Sequence, residues 1–204
     1  MPTLLTILAS PRGDYSISRA LAAEFTSAWK GKHGDGTVVE RDLYKTHLPF
    51  IDLPWIAGAY TPAEDHSPEM AEAVTVSNEL IGELFAADQI LIATPMYNFS
   101  TPAILKAYID HIVRFNVTFN AQYEGLVNGK HCTLIIASGG VYTPGAFMES
   151  WDRETSYLKM ILGFIGITDI EVILAGGSNQ VAQGEISQQE LVASFTPSVL
   201  QSVK

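Results

Sequence analysis

Cysteine is nearly absent from this chain: among 204 residues there is one, Cys132. A single thiol forms no internal disulfide, which fits a reducing compartment rather than a stapled secreted scaffold. Positive charge is scarce as well. The 12 Lys and Arg face 22 Asp and Glu, a formal net charge of −10. That balance repels nucleic-acid phosphates and anionic lipid, so nucleic-acid and membrane-surface roles are disfavoured. No apolar run approaches the roughly 18 residues of a membrane span. The N-terminus Met1-Pro2-Thr3-Leu4 lacks a basic segment ahead of its apolar stretch and soon reaches Pro11-Arg12, which argues against a signal peptide. The glycosylation sequons at Asn98-Phe99-Ser100 and Asn116-Val117-Thr118 are then chance matches. The expectation is a soluble, acidic, cytoplasmic globular protein.

Familiar catalytic constellations are also missing. The five histidines, His33, His47, His66, His111 and His131, show no paired metal spacing, and the lone cysteine has no partner. No G-x-S-x-G elbow marks a hydrolase. Gly125-Leu126-Val127-Asn128-Gly129-Lys130-His131 falls one residue short of a P-loop between its glycines, and His follows the lysine where Ser or Thr is needed. It reads as a polar turn before a strand. Asp110 and His111 are adjacent, so on a helix they diverge by about 100° and make a poor acid/base pair.

What is present is enough apolar material for a core: 47% of residues are hydrophobic and 17% charged. The length favours a single domain over 1–204. Short apolar runs at Leu4 to Ala9, Thr37 to Val39, Gln89 to Thr94, Cys132 to Ala137 and Ile170 to Ala175 suit strands buried on both faces, the mark of a parallel sheet. Between them, Ser18 to Trp29, Met70 to Phe85, Pro102 to Phe115 and Trp151 to Phe164 carry apolar residues at helical spacing. Leu53 to Pro68, with three prolines around Trp55 and Tyr60, reads as a long surface loop. Its aromatics suit either a lid or subunit contact, or ordinary packing. Alternating strand and helix predicts an open, doubly wound α/β sheet, whose ligands bind beyond the carboxyl ends of the strands.

Function is therefore sought in the loops after Ala9, Thr94 and Ala137. The first, Ser10-Pro11-Arg12-Gly13-Asp14-Tyr15-Ser16-Ile17-Ser18, lacks the G-x-G-x-x-G dinucleotide fingerprint. It sets hydroxyls at Ser10, Ser16 and Ser18 beside a helix N-terminus, which suits a phosphate monoester. Alternatively, Ser16 or Ser18 merely caps the helix. The second, Thr94-Pro95-Met96-Tyr97-Asn98-Phe99-Ser100-Thr101-Pro102, offers Met96, Tyr97 and Phe99 to a flat ring and Asn98 as donor and acceptor. Alternatively, it is a rigid proline-flanked turn with core aromatics. The third, Ala137-Ser138-Gly139-Gly140-Val141-Tyr142, presents bare glycine amides to developing negative charge, or else forms a tight turn needing positive φ.

Taken together, these loops and their order resemble the FMN-dependent NADH-azoreductase family of flavodoxin-like quinone reductases. The resemblance is carried by Pro95-Met96-Tyr97-Asn98-Phe99, Leu105-Lys106-Ala107-Tyr108-Ile109-Asp110, Val117-Thr118-Phe119, Glu124-Gly125-Leu126-Val127 and Leu162-Gly163-Phe164-Ile165-Gly166-Ile167-Thr168-Asp169. It implies a three-layer flavodoxin-like fold with a five-stranded parallel sheet in order 2-1-3-4-5, and FMN bound at the interface of a homodimer. By position, Ser10 and Ser16-Ile17-Ser18 would hold the FMN phosphate. Pro95, Met96, Tyr97, Asn98 and Phe99 would line the isoalloxazine, and Ala137, Ser138, Gly139 and Gly140 would meet its pyrimidine side. Two departures stand out. The family commonly has Ser-Arg where Ala137-Ser138 stands here, which removes the arginine side chain, and the stretch Phe119 to Glu124 is shorter than in many members. The substrate-facing aromatic is therefore open among Tyr123, Trp55 and Tyr60.

The implied chemistry is ping-pong transfer of hydride from NADH or NADPH through FMN to a quinone or azo compound, with no protein nucleophile or metal. Gly139 and Gly140 amides are assigned to charge stabilisation and Asn98 to the flavin edge. Proton delivery is left to water, since no buried acid is evident. The rival readings are a flavodoxin-type single-electron carrier serving a protein partner, and a scaffold that has lost its cofactor.

Overall fold

The computed structural model describes residues 1–204. Five strands, β1 (Thr3–Leu8), β2 (Thr37–Asp42), β3 (Gln89–Pro95), β4 (His131–Ala137) and β5 (Asp169–Ala175), form one sheet in the order β2-β1-β3-β4-β5. All four pairings are parallel. Every residue of β3 is buried, and all but the first of β4 and of β1, as a sheet covered on both faces requires.

One face is covered by α1 (Ile17–Lys32) and by the C-terminal helix, α8 (Gln188–Gln201). Leu21, Phe25 and Trp29 there meet Leu191, Val192 and Val199. The intervening helices are α2 (Leu53–Tyr60), α3 (Pro68–Ala73), α4 (Thr75–Ala86), α5 (Ala103–Ile112), α6 (Glu154–Phe164) and α7 (Ser178–Ala182). Of these, α4, α5 and α6 cover the opposite face through Leu80, Leu84, Leu105, Tyr108, Leu158 and Leu162. Cys132 is fully buried within β4, as a small core residue. No helix is long and apolar enough to cross a membrane.

Several elements differ from the sequence reading. β2 runs on through Glu40 and Arg41 to Asp42, because an edge strand has one neighbour and tolerates polar side chains. The segment Leu53 to Pro68 is a loop only in its second half, since Leu53–Tyr60 forms α2 and the rest holds a single 3-10 turn, Ala63–Asp65. Asp52 caps α2 by accepting from the Trp55 amide at 2.9 Å, and Pro54 falls in the first turn, where its missing N–H costs nothing. Pro68 likewise starts α3. Trp55 is 7% exposed and sits edge-on to His111, so it is a packing residue rather than a lid. The helix expected over Met70 to Phe85 is two helices that break at Val74, and α5 stops at Ile112, where Thr118 Oγ1 donates to the Ile112 carbonyl.

The sheet register fixes where the loops emerge. Leu8 pairs with Ala93, and Pro95 with Ala137. The ladder continues one residue past the strands: Ala9 N donates to Ala93 O, Met96 N to Ala137 O at 2.7 Å, and Ser138 N to Ala175 O. The three loops therefore leave one sheet edge side by side, each fastened at its first residue.

Candidate functional site

In the first loop, the capping reading holds for Ser16, and the three hydroxyls stay at the helix start where the phosphate reading needs them. Ser16 caps α1, accepting from Arg19 N at 3.2 Å, and its hydroxyl lies 3.2 Å from that of Ser18. Ser10, Ser16 and Ser18 are all buried. The amides of Ile17 and Ser18 are at the helix start, where no intrahelical acceptor exists, and they donate to no protein group. They carry the positive end of the helix dipole. Arg19 anchors the loop: its Nε donates to Ser10 O at 2.7 Å, while both terminal nitrogens grip Asp42 at 2.7 and 3.0 Å. Burial raises the Asp42 pKa, but hydrogen bonds from Arg19 and Tyr44 N and the charges of Arg19 and Lys45 outweigh it, holding this carboxyl below its ordinary range.

The second loop is a tight turn closed by reciprocal main-chain bonds between Tyr97 and Ser100 at 3.0 and 3.1 Å. Its central residues Asn98 and Phe99 adopt φ of +50° and +70°. Asn tolerates this region, whereas a phenylalanine there is strained by roughly 1–2 kcal/mol. The strain persists because Phe99 is held on two sides: its ring sits edge-on to Trp151 at 5.7 Å, and its carbonyl accepts from Arg153 N at 3.0 Å.

The third loop is tied to the start of α7 by Gly177 N, Ser178 N and Asn179 N, which donate to Gly140 O, Ser138 O and Gly139 O. Neither Gly139 nor Gly140 has positive φ, so the tight-turn reading does not apply. Both are there for close approach. A Cβ on Gly139 would lie 2.5 Å from Asn179 Oδ1, and one on Gly140 would lie 2.7 Å from Met148 Sδ. Behind them, a Cβ on Gly176 would lie 2.7 Å from the Gly140 carbonyl. The amides of Gly139 and Gly140 donate to no protein group.

The loops converge on one cavity of about 180 Å³. Its walls are Ser10, Arg12, Ser16, Ile17 and Ser18 from the first loop, Pro95, Met96 and Tyr97 from the second, and Ala137, Ser138 and Gly139 from the third. Of the residues singled out in the sequence, Asn98, Phe99 and Gly140 lie outside these walls, with Asn98 and Phe99 exposed on the turn tip. Ser178 and Asn179 complete the wall and were missed, although the turn after Ala175 is the next carboxyl-edge loop of the same sheet. No acid lines this cavity. A larger groove of about 580 Å³ beyond the Arg19–Asp42 pair carries Asp14, Glu40 and Asp42 against Arg19 and Lys45, an excess of acid that suits an anion less well.

The sequence matches the family described as Flavodoxin-like fold over residues 2–195. The chain belongs to the flavodoxin-like family. FMN-dependent NADH:quinone oxidoreductase 8 of Burkholderia lata is 48% identical over 195 residues, covering 96% of this chain and 93% of that protein. FMN-dependent NADH:quinone oxidoreductase of Nostoc sp. is 42% identical over 207 residues, covering 100% of this chain and 99% of that protein. Among solved structures, an azoreductase from Bacillus anthracis superposes with a TM-score of 0.87 at 29% identity, covering 100% of this chain and 99% of the other.

In this flavodoxin-like chain the cavity sits where β1 and β3 diverge to opposite sides, the usual ligand position of such a sheet. The residues present fit a phosphate ester carrying a flat ring. Unpaired amides at Ile17 and Ser18 and hydroxyls at Ser10 and Ser18 serve the anion, while the turn residues Met96 and Tyr97 and the open amides of the third loop offer a platform beside it.

The candidate aromatics lie elsewhere. α5 starts at the cavity edge and runs antiparallel to the strands for 10 residues, about 15 Å. The aromatic row Tyr60, Phe115, Phe119, Phe164 and Tyr123 therefore gathers at the far end of the sheet, with Tyr123 75% exposed.

Proposed function

We propose that this chain, acting as one domain over 1–204, is an FMN-dependent oxidoreductase that takes hydride from NADH, or NADPH in its place, and delivers it to quinones and azo compounds in ping-pong order. The observation that carries the reading is the convergence of three loops on one acid-free cavity lined by three residues with unpaired amides, Ile17, Ser18 and Gly139, with the unpaired Gly140 amide next to it in the chain. The names of the relatives above support it.

FMN, when bound, supplies the two-electron chemistry. The phosphate would be held by Ser10, Ser16, Ser18 and the α1 amides. Pro95, Met96, Tyr97 and Phe99 would support the ring system from the second loop, and Ala137 and Ser138 from the third. Gly139 and Gly140 direct fixed N–H dipoles at negative charge, a preorganised effect that needs no rearrangement. Asn98, on the exposed tip, has an amide free to meet the cofactor edge.

The protein works as a cytoplasmic homodimer in this reading. Exposed Phe50, Leu53, Ile56 and Tyr60 supply an apolar face for a second copy. Tyr60 and Tyr123 lie at the far end of their own sheet, so either meets acceptor only in the site of a partner subunit, and buried Trp55 drops out as a candidate.

The decisive experiment is anaerobic. Protein reconstituted with FMN is mixed with NADH and the visible flavin band followed. Rapid bleaching, reversed by adding a quinone, is the expected result. A bound flavin that stays yellow with both NADH and NADPH would replace this reading with a carrier fed by a protein partner.

A further inference from the structure

Glu154, the first residue of α6, is fully buried, and no Lys, Arg or His lies within ion-pair distance of it. Its Oε1 lies 3.0 Å from Thr94 Oγ1, and its Oε2 has no hydrogen-bond partner. The Thr94 hydroxyl also lies 3.2 Å from the Pro95 carbonyl. That hydroxyl carries one hydrogen. Were Glu154 ionised, two acceptors would compete for it, and the carboxylate would sit buried without a countercharge. A neutral Glu154 resolves the conflict. Its O–H donates to Thr94 Oγ1, whose own hydrogen goes to the Pro95 carbonyl. The remaining oxygen is then a carbonyl, which tolerates burial better than half of a carboxylate.

This short relay ends at the strained turn. Thr94 and Pro95 close β3, and Met96 to Phe99 follow directly. The second central residue of the turn is gripped by the same segment, through Arg153 N on Phe99 O and Trp151 on the Phe99 ring. Residues 151–154 thus hold both the strand end that leads into the turn and one of its two central residues, which stand at positive φ.

We propose that Glu154 is a positioning residue: as a neutral acid it fixes, through Thr94, the turn that presents Tyr97 and Asn98 to FMN, and its ionisation loosens that turn. This rests on the FMN reading above and adds to it a residue that touches no ligand. The balance of the groups bearing on Glu154 favours a neutral state. Burial acts most strongly and raises its pKa, the Thr94 hydrogen bond lowers it somewhat, and Asp152 on the preceding segment raises it through space, giving about 9.

The test compares full-length wild-type protein with the E154Q and T94V variants. Infrared spectra of the FMN-loaded proteins at pH 7 should show a protonated-carboxyl C=O band in the wild type that is missing from E154Q and displaced in T94V. Flavin-fluorescence titrations should show the FMN dissociation constant rising about tenfold more in the wild type than in E154Q between pH 8 and 10, since one proton per site shifts affinity by up to tenfold per pH unit. Absence of the band at pH 7, or equal pH dependence in the two proteins, would overturn the inference. T94V keeps it open to refutation if E154Q fails to fold: an undisplaced band there, with FMN affinity unchanged, sinks the relay. FMN binding by none of the proteins at any pH marks a different failure, that of the FMN reading itself, and the inference falls with it.

Discussion

Arg19 and Asp42 form a two-pronged pair at 2.7 and 3.0 Å, and the same guanidinium holds the Ser10 carbonyl with its third nitrogen. The pair spends its charge on the frame of the first loop, leaving serines and amides to face the cavity. Lysine cannot reproduce the fork. Arg19→Lys should therefore raise the FMN dissociation constant about tenfold, near 1.4 kcal/mol, in a fluorescence-quenching titration. Because the Asp42 pKa is lowered on folding, its stabilising contribution is complete above the unfolded value of about 3.9 and is lost as pH falls through the lower folded value. The stability gap between wild type and Asp42→Asn, measured by urea denaturation, should be widest near neutral pH and close in acid.

Gly176 and Gly139 should respond differently to alanine. The Gly176 Cβ would meet main chain at Gly140, which cannot swing aside, whereas the Gly139 Cβ would meet the tip of the exposed Asn179 side chain, which can. Gly176→Ala should lower stability by about 1–3 kcal/mol, the range of other overpacked sites, and weaken FMN binding with it. Gly139→Ala should leave the melting temperature within a few degrees. Calorimetry of both variants checks the order.

Asn98 combines a strained backbone with an exposed amide. Glycine accepts φ of +50° without cost, so Asn98→Gly keeps the turn and removes only the side chain. Turnover with a quinone should fall about tenfold, the loss of one hydrogen bond of roughly 1.4 kcal/mol, with stability and FMN retention nearly unchanged. Asn98→Ala should add a stability loss of about 1 kcal/mol, because alanine resists that φ. Equal turnover in wild type and both variants would strip Asn98 of its assigned role.

His111 gives the fold an acid limit. Burial lowers its pKa; the hydrogen bond to Pro49 O at 2.9 Å and the Asp110 charge oppose this, and Arg114 reinforces it. The neutral ring is the folded form, so its contribution is complete above the unfolded pKa of about 6.5 and shrinks as pH drops toward the lower folded value, by up to about 1.4 kcal/mol per pH unit. The melting temperature should fall on acidification below pH 6.5, and less steeply in His111→Gln.

How much of this was legible in sequence depended on the range of the forces involved. The apolar runs of β3 and β4 declared themselves, because burial on both faces leaves no polar alternation, and the order of loops on that sheet located the cavity. Pro54 and Pro68 misled, since the same residue that breaks a helix interior also starts a helix, and only the Asp52 cap decides which. Glu154 was illegible for another reason. An acid in a first helical turn ordinarily faces water and the helix dipole, and nothing local announces that this one meets Thr94, 60 residues earlier, inside the protein. Arg19 and Asp42, 23 residues apart, pair for equally non-local reasons.

The main-chain bonds that carry the ladder past Leu8, Pro95 and Ala137 divide labour between two parts of the molecule. The backbone ladder sets where the loops leave the sheet, and side chains behind the rim, Arg19, Glu154 and Trp151, brace them, so most rim side chains other than the Ser16 cap carry little scaffolding duty. Replacing them alters which molecules gain admission while the aperture stays where the sheet put it. The rim is thus open to retuning one residue at a time, and Ala137-Ser138 is already a local variation on an unmoved frame.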